Sequence, residues 1–329
     1  MFLGYLFFPI VMLAFIITVL LIPVWIKRAH KENLVGRDIN KLDKRKVAEG
    51  GGIPVFIGFV ISVFLYIALK TFLFKDNRNL IETLALICVL FFATSIGAVD
   101  DLLGWKKGLS KKTRIILLIF CAIPFMVISA GSRTIFGVDI GLLAPLVIVP
   151  LGIIGATSTY NFLAGYNGLE ASQGILILMA LAIVMFIGNN LWLSLICCCM
   201  IAELIAFLLF NKYPAKIFPG YSLTYCIGAV IACIAILGNA EKIALFLFIP
   251  YILEVILKLR GKLKKESFAK VNSYGGLEEP YDKIYGLEHL ALRILKNFKN
   301  GKKINEWEVT LLINSFQILI IALAFLIFL

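Results

Sequence analysis

Long apolar stretches separated by short polar connections dominate the sequence. Ten of them approach the roughly 20 residues that span a bilayer core: residues 5–26, 53–74, 80–99, 113–130, 142–159, 173–187, 191–210, 222–238, 243–258 and 309–328. Such runs satisfy their backbone polar groups in lipid as helices. The pattern therefore predicts an all-α, polytopic integral membrane protein with about ten transmembrane helices.

The basic residues are distributed unevenly over the nine connections between these stretches. The odd-numbered connections and their flanks carry 27 of the 32 Lys and Arg residues. Because cytoplasmic connections carry the excess of Lys and Arg, we expect the odd connections inside and both termini outside. The conspicuous polar motifs fall in the same connections, which predicts an active site on the cytoplasmic face.

Composition supports this class, with 61% hydrophobic and 16% charged residues. We expect a single transmembrane domain over residues 1–329, whose ninth connection, about 259–308, contains an amphipathic helix near 286–299. The net charge of +12 accompanies no nucleic-acid-binding motif, so membrane lipids and anionic substrates are the expected partners. The seven cysteines all lie in predicted spans and offer neither a disulfide framework nor a CxxC site.

Two adjacent carboxylates, Asp100 and Asp101, follow the third span. Acidic residues at a membrane edge cost free energy unless a cation compensates them. A helix-capping role is the alternative, although the C-terminal end of a helix repels carboxylates. About ten residues later, Lys111 and Arg114 bring cations to the same face.

The fifth connection, residues 161–170, contains no Lys or Arg and carries amide and carboxylate oxygens, which suit a hard divalent cation. Asn167 and Glu170 also have the spacing of a helix capping box, but that alternative leaves Asn161 unexplained. The first connection ends in three glycines, residues 50–52, before a predicted helix. They indicate either a close backbone approach to a phosphate or an ordinary turn.

Together these motifs resemble the polyprenyl-phosphate N-acetylhexosamine-1-phosphate transferases, especially the archaeal and eukaryotic branch that uses UDP-GlcNAc and dolichyl phosphate. The resemblance lies in residues 36–41 with 49–50, in 100–101, in 161–170 and in 211–218. It implies transfer of a sugar-1-phosphate, GlcNAc-1-phosphate in that branch, from a UDP-sugar to a polyprenyl or dolichyl phosphate with release of UMP. This would be the first membrane step of lipid-linked glycan assembly for N-glycosylation. The implied cofactor is Mg²⁺ or Mn²⁺, and the implied location is an archaeal-like cell membrane or the endoplasmic reticulum membrane.

The resemblance also implies roles for individual residues. Asn161 and Asp101 would bind the metal, and Asp100 with Asp101 would position or deprotonate the acceptor phosphate. Arg114 aligns best with the basic catalytic residue of the fourth helix, with Lys111 as the alternative. The implied substrate-binding residues are Asn40, Lys41, Glu49, Gly50, Asn167, Glu170, Lys265, Glu266 and Ser267.

Two departures from the family pattern change the expectation. Tyr221 stands where the family has a metal-binding Asp, and a neutral phenol is a poor ligand for Mg²⁺. Residues 265–267 stand where the eukaryotic branch has an Arg-His-Arg cluster that grips the diphosphate and the sugar, so the identity of the sugar stays open. A catalytically impaired relative and a membrane transporter are the alternatives, and the sequence leaves a homodimer open.

Overall fold

The computed structural model describes residues 2–104, 108–135 and 138–329, and this part of the chain is mostly helical. A π-helical turn, Leu69–Leu73, directly follows the helix Gly52–Ala68, and another, Ala144–Ile148, leads into the helix Val149–Tyr160. The α-helices are α1 (Phe2–Lys31), α2 (Gly52–Ala68), α3 (Leu80–Leu103), α4 (Lys111–Val127), α5 (Val149–Tyr160), α6 (Leu169–Ile187), α7 (Leu191–Asn211), α8 (Gly220–Leu237), α9 (Glu241–Leu247), α10 (Ile249–Arg260), α11 (Leu287–Lys299) and α12 (Glu306–Phe328).

Among the described residues, three short antiparallel hairpins lie in the connections. They pair β1 (Val35–Arg37) with β2 (Lys46–Ala48), β3 (Thr134–Ile135) with β4 (Val138–Asp139), and β5 (Lys270–Val271) with β6 (Leu277–Glu278). Because none of them is part of an apolar span, they leave the all-α prediction intact.

Within the described part of the chain, seven helices are long and apolar enough to cross a membrane: α1, α2 with its π-helical turn, α3, α6, α7, α8 and α12. A polytopic integral membrane protein is thus confirmed, whereas the count of ten stays a prediction. The remaining predicted spans correspond to shorter helices. The ninth is divided between α9 and α10 close to Pro250, which lacks the amide hydrogen that a continuous helix needs.

Helix α8 forms the centre of the bundle, and 15 of its 18 residues are buried. In α1 and α12, by contrast, only 22% of the apolar segment is buried. It packs against α2, α3, α5 and α6. Gly52 on α2 and Gly97 on α3 allow the close approach, because a Cβ at either position would clash with the backbone at Tyr221 to Leu223. The first turn of α8 is therefore held tightly by its neighbours.

The odd-numbered connections meet at one end of the bundle. Gly51 N donates to Phe218 O at 3.0 Å, and the Asn40 side chain donates to Gly165 O at 3.1 Å. At the opposite end, even-numbered connections surround a cavity of about 500 Å³ whose lining includes Glu82, Ser129 and Asn239. These contacts agree with the predicted grouping of the odd-numbered connections, whereas the full alternation and the assignment of one end to the cytoplasm stay predictions.

Candidate active site around the first turn of helix α8

Asp101 caps α8. Its Oδ1 accepts a hydrogen bond from Tyr221 N at 2.6 Å, and its Oδ2 accepts from Ser222 N at 3.1 Å and from Ser222 Oγ at 2.7 Å. Gly220, with φ of 67°, has no side chain to block the carboxylate. A carboxylate at a helix N-terminus satisfies free amides and interacts favourably with the helix dipole. Capping is therefore the role that the structure shows for Asp101, on α8 and not on its own helix.

Asp100, buried beside Asp101, forms an ion pair with Arg114. The Arg114 Nη2 to Asp100 Oδ2 distance is 2.7 Å, and Asp100 Oδ1 accepts a hydrogen bond from Leu109 N at 2.6 Å. Arg114 lies on the first turn of α4, which Ser110 caps by accepting from Thr113 N. The structure thus supplies the cation that an acidic residue at a membrane edge requires. The side chain of Lys111, the alternative cation, lies outside the described part of the chain.

Tyr221 and Asn161 complete the cluster. The Arg114 guanidinium carbon lies 4.4 Å from the centroid of the Tyr221 ring, a cation–π contact. Asn161, directly after α5, accepts a hydrogen bond on Oδ1 from Thr224 Oγ1 at 2.9 Å. Tyr221 and Thr224 are three residues apart and share one face of α8. The acidic pair, the arginine, the tyrosine and Asn161 therefore surround the first two turns of one helix.

A second buried network lies at the same end of the bundle, where α12 begins. Glu306 Oε1 accepts from Asn167 N at 2.8 Å and from Asn40 Nδ2 at 3.4 Å, and Glu306 Oε2 pairs with Lys41 Nζ. Asn40 Oδ1 accepts from Ala269 N at 3.2 Å. Sequence reasoning missed Glu306, because its partners come from two distant connections that no local pattern links to the start of α12.

Comparison with known proteins decides the family. The sequence pattern of glycosyl transferase family 4 matches residues 83–239. The chain is 36% identical over 279 residues to a Saccharolobus solfataricus protein, covering 82% of this chain and 83% of that one. That protein carries the provisional name UDP-N-acetylglucosamine–dolichyl-phosphate N-acetylglucosaminephosphotransferase. This chain belongs to glycosyl transferase family 4.

Two further relatives of this family 4 chain carry unqualified names. A Dictyostelium discoideum UDP-N-acetylglucosamine–dolichyl-phosphate N-acetylglucosaminephosphotransferase is 28% identical over 283 residues, 73% of this chain and 68% of that protein. A Staphylococcus carnosus phospho-N-acetylmuramoyl-pentapeptide-transferase is 29% identical over 280 residues, 78% and 86% of the two chains. The resemblance that the motifs indicated is confirmed.

The family 4 site does not present a ready-made magnesium site. Among the residues described, no group of three or more His, Cys, Asp or Glu side chains is arranged to hold a metal ion. Both oxygens of Asp101 accept hydrogen bonds from α8, Asn161 Oδ1 accepts from Thr224, and Asp100 Oδ2 pairs with Arg114. The oxygens expected to bind the metal therefore already contact protein groups, and position 221 carries a tyrosine where the resemblance implies a carboxylate. The predicted metal roles of Asp101 and Asn161 stay predictions.

Glu170 shapes the fifth connection. Its Oε1 accepts from Gly165 N at 2.8 Å, and its main-chain carbonyl accepts from Tyr160 Oη at 2.6 Å. Helix α6 begins after Gly168, which makes no side-chain cap. The capping-box alternative for Asn167 and Glu170 is therefore wrong. The Glu170 carboxylate accepts from Gly165 N within the loop, and the Asn167 side chain donates to Asp38 in the first connection.

The ninth connection packs across the fifth. Ser267 is buried, accepts on Oγ from Lys258 Nζ at 2.7 Å, and its carbonyl lies 3.5 Å from Tyr166 Oη. Lys265 is exposed, and its Nζ lies 4.6 Å from the centroid of the Tyr281 ring. Glu266, also exposed, places its amide 3.3 Å from Tyr281 Oη. Of these three predicted residues, Ser267 thus turns towards the Asn161 loop, and Lys265 and Glu266 turn towards Tyr281.

The glycine-rich turn before α2 has a packing role. Gly50 has φ of 75° and lies against the Trp25 indole, whose Nε1 donates to Glu49 O at 2.8 Å. Gly51 N and Gly52 N donate to the carbonyls of residues 218 and 219. The amides of Gly51 and Gly52 are therefore committed to protein partners, and the predicted substrate contact at Gly50 stays a prediction. Glu49 is half-buried, and this burial raises the pKa of its carboxyl group.

Proposed function

We propose that this protein transfers GlcNAc-1-phosphate from UDP-GlcNAc to a polyprenyl or dolichyl phosphate in the membrane and releases UMP. One observation carries the proposal: the Asp100–Arg114 ion pair, Asn161 and the capped first turn of α8 meet where the odd-numbered connections converge. The names of the relatives support the two substrates. The proposed location is a cell membrane of archaeal type or the endoplasmic reticulum membrane.

The reaction joins two phosphate groups. An oxygen of the lipid phosphate attacks the phosphorus that carries the sugar, and the bond from that phosphorus to the oxygen bridging to the nucleotide phosphate breaks. UMP leaves with the electron pair, and the product is a polyprenyl diphosphate sugar. The lipid phosphate has a second pKa near ~6, so it is largely ionised at neutral pH and needs no strong base. Positioning and neutralisation of charge are then the main requirements.

Arg114 is the residue best placed to neutralise that charge. Asp100 and the Tyr221 ring fix its guanidinium, and its Nε is buried with no hydrogen-bond partner among the described residues. A guanidinium offers several donors to a phosphate in a planar geometry. We assign Arg114 to the transferring phosphate, with Asp100 holding it in place and Asp101 fixing the helix beneath.

On the donor side, we assign Asn40, Lys41 and Asn167 to the nucleotide sugar, because they come together from two connections at the same end of the bundle. Magnesium remains a proposal carried by the resemblance. Because the described side-chain oxygens near Arg114 already contact protein groups, they form no preformed magnesium site, and no step of the proposed reaction is assigned to magnesium.

The test is UMP release by the purified protein in lipid nanodiscs, with UDP-GlcNAc, polyprenyl phosphate and a series of Mg²⁺ concentrations. We expect release with formation of the diphosphate-linked sugar, and Arg114→Gln should reduce it by ~10²-fold or more. Arg133→Gln, an exposed arginine in an even-numbered connection, is the matched control and should leave the rate unchanged. No UMP from the wild type at any Mg²⁺ concentration would favour the impaired relative, and uptake of labelled UDP-sugar into proteoliposomes would favour the transporter.

A further inference from the structure

Glu306 joins the first and fifth connections to the start of the last helix. Glu306 is only 2% exposed, yet its carboxylate contacts three groups from much earlier in the chain. These are the main-chain amide of Asn167, the side-chain amide of Asn40 and the ammonium of Lys41. One carboxylate thus satisfies two neutral donors and one buried cation.

The network around Glu306 is nearly closed. Asp38 Oδ2 lies 3.3 Å from Lys41 Nζ and accepts from Asn167 Nδ2 at 3.2 Å. Thr310, one turn further along α12, lies with its Oγ1 3.4 Å from Asn167 O. Two carboxylates therefore share one lysine in a buried setting, where removing a partner leaves a charge without compensation. The position of each group depends on the others.

The network also borders open space. A cavity of about 240 Å³ is lined by Asn40, Lys41, Glu306 and Tyr213 among others, and Lys41 Nζ lies 4.4 Å from the centroid of the Tyr213 ring. Lys41 is therefore fixed on one side by carboxylates and on another by an aromatic face. A small displacement of Glu306 would therefore also displace Asn40 and Lys41, which line this cavity.

We propose that Glu306 is a positioning residue for binding of the nucleotide-sugar donor, acting through Asn40, Lys41 and Asn167. The inference rests on the proposed function, which assigns these three residues to the donor. Glu306 fixes the backbone at Asn167 and the side chains of Asn40 and Lys41 before the donor arrives. A misplacement of about 1 Å from a change outside the reacting groups can cost ~10²-fold, so a strong effect on donor affinity follows.

The first test compares Glu306→Ala with Glu308→Gln. Glu308 is two residues away on the same turn, but it binds Lys299 and caps α12 at Asn305, and it contacts none of the three donor-side residues. Glu306→Ala should raise the KM for UDP-GlcNAc by roughly tenfold to a hundredfold and leave the KM for polyprenyl phosphate within about twofold. Glu308→Gln should change neither KM.

The second test separates positioning from a general loss of structure. Glu306→Gln keeps an acceptor for Asn167 N, so it should recover part of the donor affinity that Glu306→Ala loses. Combining Glu306→Gln with Lys41→Met should give less than the sum of the separate effects, because the two residues form one ion pair.

The dissociation constant for UDP, measured by calorimetry, follows donor binding without turnover. If the wild-type protein binds UDP but releases no UMP, the proposed function is contradicted. The role of Glu306 in donor binding is then still tested by the same titration of the wild type and Glu306→Ala. Unchanged UDP affinity in Glu306→Ala, or an equal rise in both KM values with no recovery in Glu306→Gln, would overturn the proposal.

Discussion

The capping of α8 by Asp101 makes a prediction about stability. In Asp101→Asn, one carboxylate oxygen becomes an amide NH₂ that faces the donors of Tyr221 and Ser222. Hydrogen bonds to charged groups contribute about 1.5–3 kcal/mol each, and a charge at a helix N-terminus contributes up to ~2 kcal/mol. We expect a loss of about 2–4 kcal/mol, because one acceptor oxygen remains and the effects overlap.

The expected change is measurable by thermal unfolding. At about 2–4 °C per kcal/mol for a large domain, the loss of about 2–4 kcal/mol in Asp101→Asn should lower Tm by roughly 4–16 °C. The assay is far-UV circular dichroism of the detergent-solubilised protein. Ser222→Ala is the matched comparison, since it removes one hydrogen bond to Asp101 without changing charge, and it should cost about 1 kcal/mol. A Tm for Asp101→Asn equal to that of the wild type would refute the capping role.

UMP release by the same variant, measured well below its Tm, determines whether capping is the whole role of Asp101. If the folded variant turns over at nearly the wild-type rate, Asp101 acts through the helix alone. A loss of ~10²-fold or more would place its charge at the reaction centre as well. Asp100→Asn should show the opposite balance, with a smaller change in Tm and a larger loss of rate, because its partner Arg114 is 23% exposed in its side chain.

Three further predictions test the site and its orientation. Tyr221→Asp removes the ring beneath Arg114 and adds a carboxylate, so it should raise UMP release at limiting Mg²⁺; equal activity and half-saturating Mg²⁺ in both proteins would exclude position 221 as a metal position. In a cysteine-free background, cysteines at Lys44 and Lys264 should resist an impermeant thiol reagent applied outside cells, and labelling of both would reverse the orientation. Burial, then the charge of Glu254, raises the pKa of Glu288 well above its usual range. Native Glu288 therefore binds its proton more tightly than the unfolded chain does, and stability falls as pH rises above the unfolded pKa of about 4.3. Glu288→Gln should flatten this dependence and melt above the wild type at pH 8, whereas parallel melting curves across pH would contradict the raised pKa.

The sequence was sufficient for the fold class because hydrophobic runs of membrane length have few alternatives. It was weaker where helices are short. The span predicted over 243–258 contains Pro250, and the structure divides it there. The amphipathic helix predicted over 286–299 is confirmed as α11, and its His289 is buried and edge-on to Tyr281. Burial lowers the pKa of His289 to about 4, so it is neutral at pH 7.

For the site, the motifs indicated candidate residues but not the partners that these residues contact. Arg114 and Asp100 were expected on one face, and they form an ion pair. Asp101 was expected at a metal, and it caps a helix more than a hundred residues away. That contact depends on the packing of α3 against α8, which no local pattern encodes. Glu306 was missed for the same reason, since its partners come from two distant connections.

The different fates of Asp100 and Asp101 follow from helix geometry. Adjacent residues on an α-helix point about 100° apart, so two carboxylates in sequence at the end of α3 face different neighbours. Asp101 faces the first turn of α8, and Asp100 faces Arg114 on α4. An acidic pair of this kind is thus not by itself a pair of metal ligands. It links two helices, and the cation that it holds, Arg114, keeps 23% of its side chain exposed, which leaves this guanidinium available to a phosphate. For this chain, that makes the loss of Arg114 a more severe test of the proposed chemistry than the loss of either carboxylate.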